Sequence, residues 1–283
     1  MRISGRLAVF VTIGTLSIIG LGIGNAEADL PELYAREHLR VCADGNNLPF
    51  TNREGEGFEN RIAEMMAEEL GKPLSYVWAP QIMGFVRNTL GLRICDVMIG
   101  VAAGYDFVQN SQAYYRSVYA LVLPEDSDIT ATTLNDPELK DRNIGVVAGT
   151  PPMIPLRQAG ASVQGYPLMV DTRVRTPVKD AVEDVATGVT EGAVIWGPIA
   201  GYYAARQQPA LKVVPLLDNA TDAQLEYRIT MGVRRGESQW LAWINDFIER
   251  RQNDINAILV DYQVPLLDSH GQLIDPATMD AAQ

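Results

Sequence analysis

From residue 39 onward, short apolar runs alternate with helical stripes. Leu39-Arg40-Val41-Cys42-Ala43 is a run of strand type, followed by the polar loop Asp44 to Phe50. Phe58, Ile62, Met65, Met66 and Leu70 recur at helical spacing and Gly71 ends the stripe, which predicts a helix. Leu74 to Trp78 predicts a second strand and residues 84–90 a short helix. Residues 96–101 are apolar on both faces, as in a strand covered by two layers. Residues 117–123 give another strand, stopped by Pro124. This β-α-β order predicts parallel strands with helices on the sheet faces.

A second series follows. Asn143 to Val147 reads as a strand, ended by Ala148-Gly149-Thr150-Pro151-Pro152, and residues 153–159 as a helix. Thr176 and Pro177 open a helix whose apolar face is Val178, Ala181, Val182 and Val185, closed by Gly188. Gly192 to Trp196 is a strand, Gly197-Pro198 starts a helix over residues 199–206, and residues 211–216 give a further strand. Residues 227–233 alternate as a strand does, and Ser238 opens a long amphipathic helix carrying Trp240, Ile244, Phe247, Ile248, Ile255 and Leu259. The expectation is an α/β protein of two lobes with mainly parallel sheets, joined by a two-stranded hinge. Residues 29–122 begin lobe 1, 123–217 form lobe 2, 218–264 return to lobe 1, and 265–283 form a C-terminal tail. A cleft between the lobes follows from the rule that open parallel sheets bind ligands at the carboxyl ends of their strands.

The first 28 residues follow a different pattern. Arg2 and Arg6 precede an apolar stretch from Leu7 to Gly24, and Ala26-Glu27-Ala28 supplies a small-residue cleavage site. That is the layout of a secretory signal peptide over residues 1–28 and predicts a periplasmic protein. Cleavage removes two arginines and one glutamate, so the mature chain is one unit more acidic than the full-length −12. That charge argues against nucleic-acid binding and against docking on an anionic membrane. Export permits a disulfide between Cys42 and Cys95. Their strand positions leave both a bridge and two buried thiols open, because register decides whether the Cα atoms come within reach.

Catalytic chemistry finds no foothold. There is no G-x-S-x-G elbow and no P-loop, and His38 and His270 lie far apart near the mature termini. Asp126-Ser127-Asp128 lacks the glycine and terminal glutamate of a calcium loop. The expectation is a chain that is not an enzyme and holds no metal.

From Leu39 to Tyr262 the chain resembles the family 3 periplasmic solute-binding proteins, which have the type II periplasmic binding protein fold. The matching order is Leu39-Arg40-Val41, Gly57-Phe58-Glu59-Asn60, Cys95-Asp96-Val97, Ala113-Tyr114-Tyr115-Arg116-Ser117, Ile144-Gly145-Val146 with Gly149-Thr150, and Pro198 with Tyr202-Tyr203. A narrower set resembles the MxaJ/XoxJ group: residues 41–52, Gly55 to Asn60, Gly84 to Leu90, Ala103-Gly104-Tyr105-Asp106 and Trp196-Gly197-Pro198. That resemblance implies a non-catalytic accessory role in the assembly or activation of a periplasmic methanol (alcohol) dehydrogenase. The pyrroloquinoline quinone and the calcium or lanthanide ion belong to that partner, and this chain is expected to bind no cofactor and to be monomeric alone. The alternative is a transport receptor for a small uncharged or aromatic solute.

Amino-acid binders of the wider family hold their ligand between an arginine, after the strand equivalent to residues 96–101, and an aspartate, after the strand equivalent to 192–195. Here the first loop, residues 102–110, contains no arginine, and an ungapped match puts Val108 at that position and Trp196 at the other. A zwitterion buried there without countercharges would lose several kcal/mol to desolvation. The expected cleft rim is Asp44, Asn46, Asn47, Phe50, Tyr105, Asp106, Tyr115, Thr150 and Trp196, rich in aromatics and amides. Asp44 matches the family's acidic residue after the first strand, yet it also suits a loop-stabilising role. Phe58 belongs with the apolar helical stripe. Arg87 is a candidate surface anchor or an ordinary solvated helix charge.

Overall fold

The computed structural model describes residues 37–168, 170–217 and 221–279, so the leader expected over residues 1–28 lies outside the described residues. Strand β1 (Leu39–Ala43) runs parallel to β4 (Leu74–Trp78), and a bridge from Val41 to Val97 carries the sheet on toward β5 (Met98–Ala102). Between β1 and β4 come a two-residue hairpin, β2 (Asn46–Asn47) and β3 (Thr51–Asn52), and helix α1 (Phe58–Leu70). The start of α1 is fixed by Asn60, whose Oδ1 accepts from the amides of Gly57 and Asn52 at 3.1 and 3.0 Å. Gly71 ends the helix in the left-handed conformation expected of a terminating glycine.

One long strand ties the molecule together. Strand β6 (Gln109–Leu123) is antiparallel to every strand it pairs with, and its partners change along its length. Its first half pairs with β11 (Glu226–Val233), which also pairs with β5, closing the lobe 1 sheet. Its second half pairs with β9 (Gly192–Trp196) and β10 (Lys212–Pro215) of lobe 2. The switch falls between Val118 and Tyr119, inside the strand and ahead of the Leu123-Pro124-Glu125 segment where the sequence places the crossing. The remaining lobe 2 strands, β7 (Asn143–Val147) and β8 (Ser162–Tyr166), are parallel to each other, and β7 is parallel to β9. Parallel strands therefore hold the outer parts of both lobes, and the antiparallel β6 joins them.

Helices cover the sheets. The long α6 (Ser238–Asp261) packs its Ile244, Phe247, Ile248 and Ile255 against Phe58, Ile62 and Met66 of α1 and against the lobe 1 strands. In lobe 2, α4 (Pro177–Ala186) and α5 (Gly197–Ala204) cover β7 and β9, while the short α3 (Met153–Gln158) follows β7. In lobe 1, the stretch expected as one helix over residues 84–90 is α2 (Phe85–Asn88) followed by a turn of 3₁₀ helix at Leu90–Leu92.

The expected tail is a correction. Residues beyond Pro265 turn back onto the body: Leu266 bridges Ser117, the Ser117 hydroxyl donates to the Pro265 carbonyl at 2.8 Å, and Leu266 and Leu267 are buried. A short helix, α7 (Pro276–Met279), ends the described chain. Just ahead of this segment the chain lies against α5 so closely that a Cβ on Gly201 would stand 1.9 Å from the Gln263 carbonyl oxygen, which explains a glycine inside that helix.

Candidate functional site

The loops after β1 and β8 meet across the lobes through Asp44, Asn46 and Thr172, and Gln81 of the loop after β4 joins them. The sequence-predicted rim residues sort into three separate places.

The first is a polar junction built on Asp44, only 1 % exposed. Its Oδ1 accepts from the Asn46 amide at 3.0 Å and from the Thr172 hydroxyl of lobe 2 at 2.7 Å, and its Oδ2 accepts from the Gln81 amide at 2.8 Å. Asn46 adds a second link, donating through Nδ2 to the Thr172 carbonyl at 2.6 Å, and Asn47 donates to the Gln81 side chain at 3.0 Å. Both carboxylate oxygens are thus engaged by the chain itself, which satisfies a buried charge without a ligand. The geometry gives Asp44 a loop-stabilising role and adds one the sequence did not suggest, a bridge between lobes.

The second place is an aromatic centre at the end of β9. Trp196 meets Tyr119 of β6 edge-on at 5.4 Å and Tyr227 of β11 at 5.7 Å between ring centroids, and Tyr119 and Tyr227 lie 6.5 Å apart. Burial pushes the Tyr119 phenol well up, Tyr227 adds to the rise, and the neighbouring Thr150 side chain partly offsets it. Trp196 and Phe50 are half-buried and pack against the cores of both lobes. Tyr115 is 6 % exposed and sits in the lobe 1 core against Phe58, so it lines the interior rather than the rim. The Thr150 hydroxyl donates to the Val147 carbonyl of its own turn at 2.6 Å.

The third place is the tip of lobe 1. Tyr105 and Asp106 stand here, exposed, beside Met83 and Phe107 and apart from the aromatic centre. Val108, the ungapped counterpart of the family's arginine, is 4 % exposed and buried in a small lobe 1 core with Phe85, Val86 and Leu90. It does not face the cleft. The same small core holds the disulfide between Cys42 and Cys95, whose Cα atoms are 5.4 Å apart.

Several residues at the junction lie outside the rim expected from the sequence, among them the motif pair Tyr202-Tyr203. Tyr203 of α5 donates to the Leu48 carbonyl across the lobes at 3.1 Å, and burial pushes its phenol up to about 12. Tyr202 stacks on Tyr262 at 5.8 Å, and Tyr262 donates to the Glu56 carbonyl at 2.6 Å. The spacing of Tyr115, Ser117 and Tyr119 is a face of one strand and was available as a signal for Tyr119. Nothing local marks Thr172 or Gln81, which are brought to Asp44 by the fold.

Among the described residues no group of three or more His, Cys, Asp or Glu side chains is placed to hold a metal ion, and no helix is long and apolar enough to cross a membrane.

No family model matches the chain. Protein MoxJ of Methylorubrum extorquens is 32% identical over 259 residues, covering 86% of this chain and 85% of that protein. The crystal structure of the periplasmic binding protein XoxJ from Methylobacterium extorquens superposes with a TM-score of 0.69 at 38% identity, covering 82% of this chain and 100% of that one. MxaJ from Methylophaga aminisulfidivorans superposes with a TM-score of 0.72 at 29% identity, over 81% of this chain and 100% of that one. A reconstructed ancestral cationic amino-acid solute-binding protein shares the fold, at 20% identity with a TM-score of 0.66 over 82% of this chain and 98% of its own. The chain belongs to the family of MoxJ, XoxJ and MxaJ, periplasmic binding proteins of the type II fold related to the family 3 solute-binding proteins.

Proposed function

We propose that this chain is a periplasmic accessory protein, without catalytic activity, that assists the assembly or activation of a methanol dehydrogenase using pyrroloquinoline quinone. The quinone and the metal ion sit in the dehydrogenase, and this chain carries neither. The observation that carries the reading is the state of the junction. The acid that matches the ligand-binding family is engaged by Thr172, Gln81 and Asn46, and the amino-acid clamp positions hold a buried valine and a half-buried tryptophan. A binding protein so rebuilt is better suited to hold another protein than to capture a charged nutrient. The test is direct binding between the purified mature chain and the methanol dehydrogenase of the same organism, measured at physiological salt. A saturable complex is expected, and its absence overturns the reading.

The aromatic centre of Trp196, Tyr119 and Tyr227 favours one other reading, a receptor for a small uncharged or aromatic solute. Such a ligand would raise the melting temperature by mass action. A solute that does so, with no complex to the dehydrogenase, would select the receptor.

A further inference from the structure

The lobe 1 tip carries an apolar groove of about 470 Å³, open to solvent and lined by residues from the loops after β4 and β5. Phe85, Val86 and Met98 form its floor, and Ile82, Met83, Tyr105 and Phe107 its walls. Met83 is 87 % exposed and Phe107 74 %. Leaving both in water costs free energy that burying them against a partner recovers. The floor is braced from behind by the small core around the Cys42–Cys95 disulfide, so the groove is preformed. Methionine on the wall suits a surface that adapts to another protein's side chains.

Charge at the groove runs against the rest of the chain. The sequence holds 35 acidic against 23 basic side chains. Here Arg87 lines the groove without an ion-pair partner among the described residues, and the exposed Arg235 donates to the Asp106 carbonyl at 2.5 Å, between Tyr105 and Phe107. Asp106 is the single carboxylate within that loop. An apolar floor with two guanidinium groups at its edge is complementary to an apolar segment flanked by carboxylates.

We infer that this groove is the docking surface for the dehydrogenase, and that it takes a surface segment of that partner presenting apolar side chains next to Asp or Glu. The inference deepens the accessory reading above and rests on it. The groove adjoins the polar junction through Gln81, whose amide donates to Asp44, while Trp196, Tyr119 and Tyr227 are not among its lining residues.

The experiment is biolayer interferometry with the full mature chain and the purified dehydrogenase, at low and physiological salt, with a melting curve on each variant to confirm folding. Met83→Asp with Phe107→Asp is expected to weaken binding by roughly tenfold or more, as loss of an apolar anchor does. Arg87→Glu, at an exposed position that tolerates the change, should weaken binding and flatten its salt dependence, and it carries the test alone if the double variant fails to fold. Ile154→Asp, an exposed apolar residue on lobe 2, should bind as the parent does. Parent-like affinity in both groove variants overturns the docking site while the accessory function stands. A parent chain that binds no dehydrogenase overturns both. Variants that reduce self-association of this chain instead of dehydrogenase binding reassign the groove to a contact between copies, which also overturns the inference.

Discussion

Glu59 is a buried carboxyl outside the junction. It follows the first residue of α1, where acids are common, but its side chain is only 5 % exposed and reaches the underside of β5. A Cβ on Gly100 would lie 1.9 Å from its Oε1, so the glycine, at a positive φ of 80°, leaves the space the carboxyl fills. Burial without a cation pushes the Glu59 carboxyl well above the usual range, and its negative form in turn disfavours ionisation of Tyr114 and Tyr115. The folded pKa is raised above the unfolded value, so the protonated carboxyl supports the fold at low pH. That contribution is lost as pH rises from about 4.3, the unfolded value, through the folded one. Glu59→Gln, which keeps the shape and cannot ionise, should therefore show a smaller fall in melting temperature between pH 5 and pH 8 than the parent. Equal falls in the two proteins would show that Glu59 is solvated or paired.

Among the elements, those with a strong local pattern were legible and those held by neighbours were not. The stripe from Phe58 to Leu70 and the apolar runs at Leu39–Ala43, Leu74–Trp78, Asn143–Val147 and Gly192–Trp196 are strands and helices at the positions their sequence predicts. Strand β8 is mostly exposed and polar, Ser-Val-Gln-Gly-Tyr, and carries no alternation to read. The first half of β6 is equally polar and is a strand because β11 pairs with it across more than a hundred residues of sequence. The disulfide belongs at this scale too, since it joins β1 to the residue before Asp96, itself fixed by Arg40 through bonds of 2.8 and 3.1 Å. It closes a loop with a sequence separation of 53 residues. Replacing both cysteines by serine should lower stability by about 2–4 kcal/mol, chiefly by freeing the unfolded chain. Urea unfolding of the oxidised parent against the double variant measures it, and an unchanged midpoint would refute the bridge as a source of stability.

For the whole molecule, the question is what holds the lobes at their present separation. Thr172 to Asp44, Asn46 to the Thr172 carbonyl and Tyr203 to the Leu48 carbonyl all cross the junction. Stacked Tyr202 and Tyr262 lie beside them, with the C-terminal segment packed on α5. A hydrogen bond to a buried carboxylate is worth roughly 1.5–3 kcal/mol, enough to shift the balance between two arrangements. Thr172→Val combined with Tyr203→Phe removes two of these bonds and keeps the apolar volume. The expected result is a larger radius of gyration in solution scattering and faster amide exchange over residues 44–50. An unchanged radius and exchange pattern would mean that the apolar contacts alone hold the lobes.

Read alone, the amino-acid sequence determined the order and type of most elements, the two-lobed plan, and the lack of an arginine in the loop after β5. Each of these is a property of residues near one another in the chain, where periodicity reports which side faces a core. The tertiary structure decided the rest. It separated Tyr105 and Asp106 from Trp196, drew Tyr115 into a core, brought Thr172 to Asp44 across 128 residues, and folded the segment after Pro265 onto the junction. Those placements depend on strand register and on which helix faces which, and such long-range pairings leave no local trace in composition or spacing.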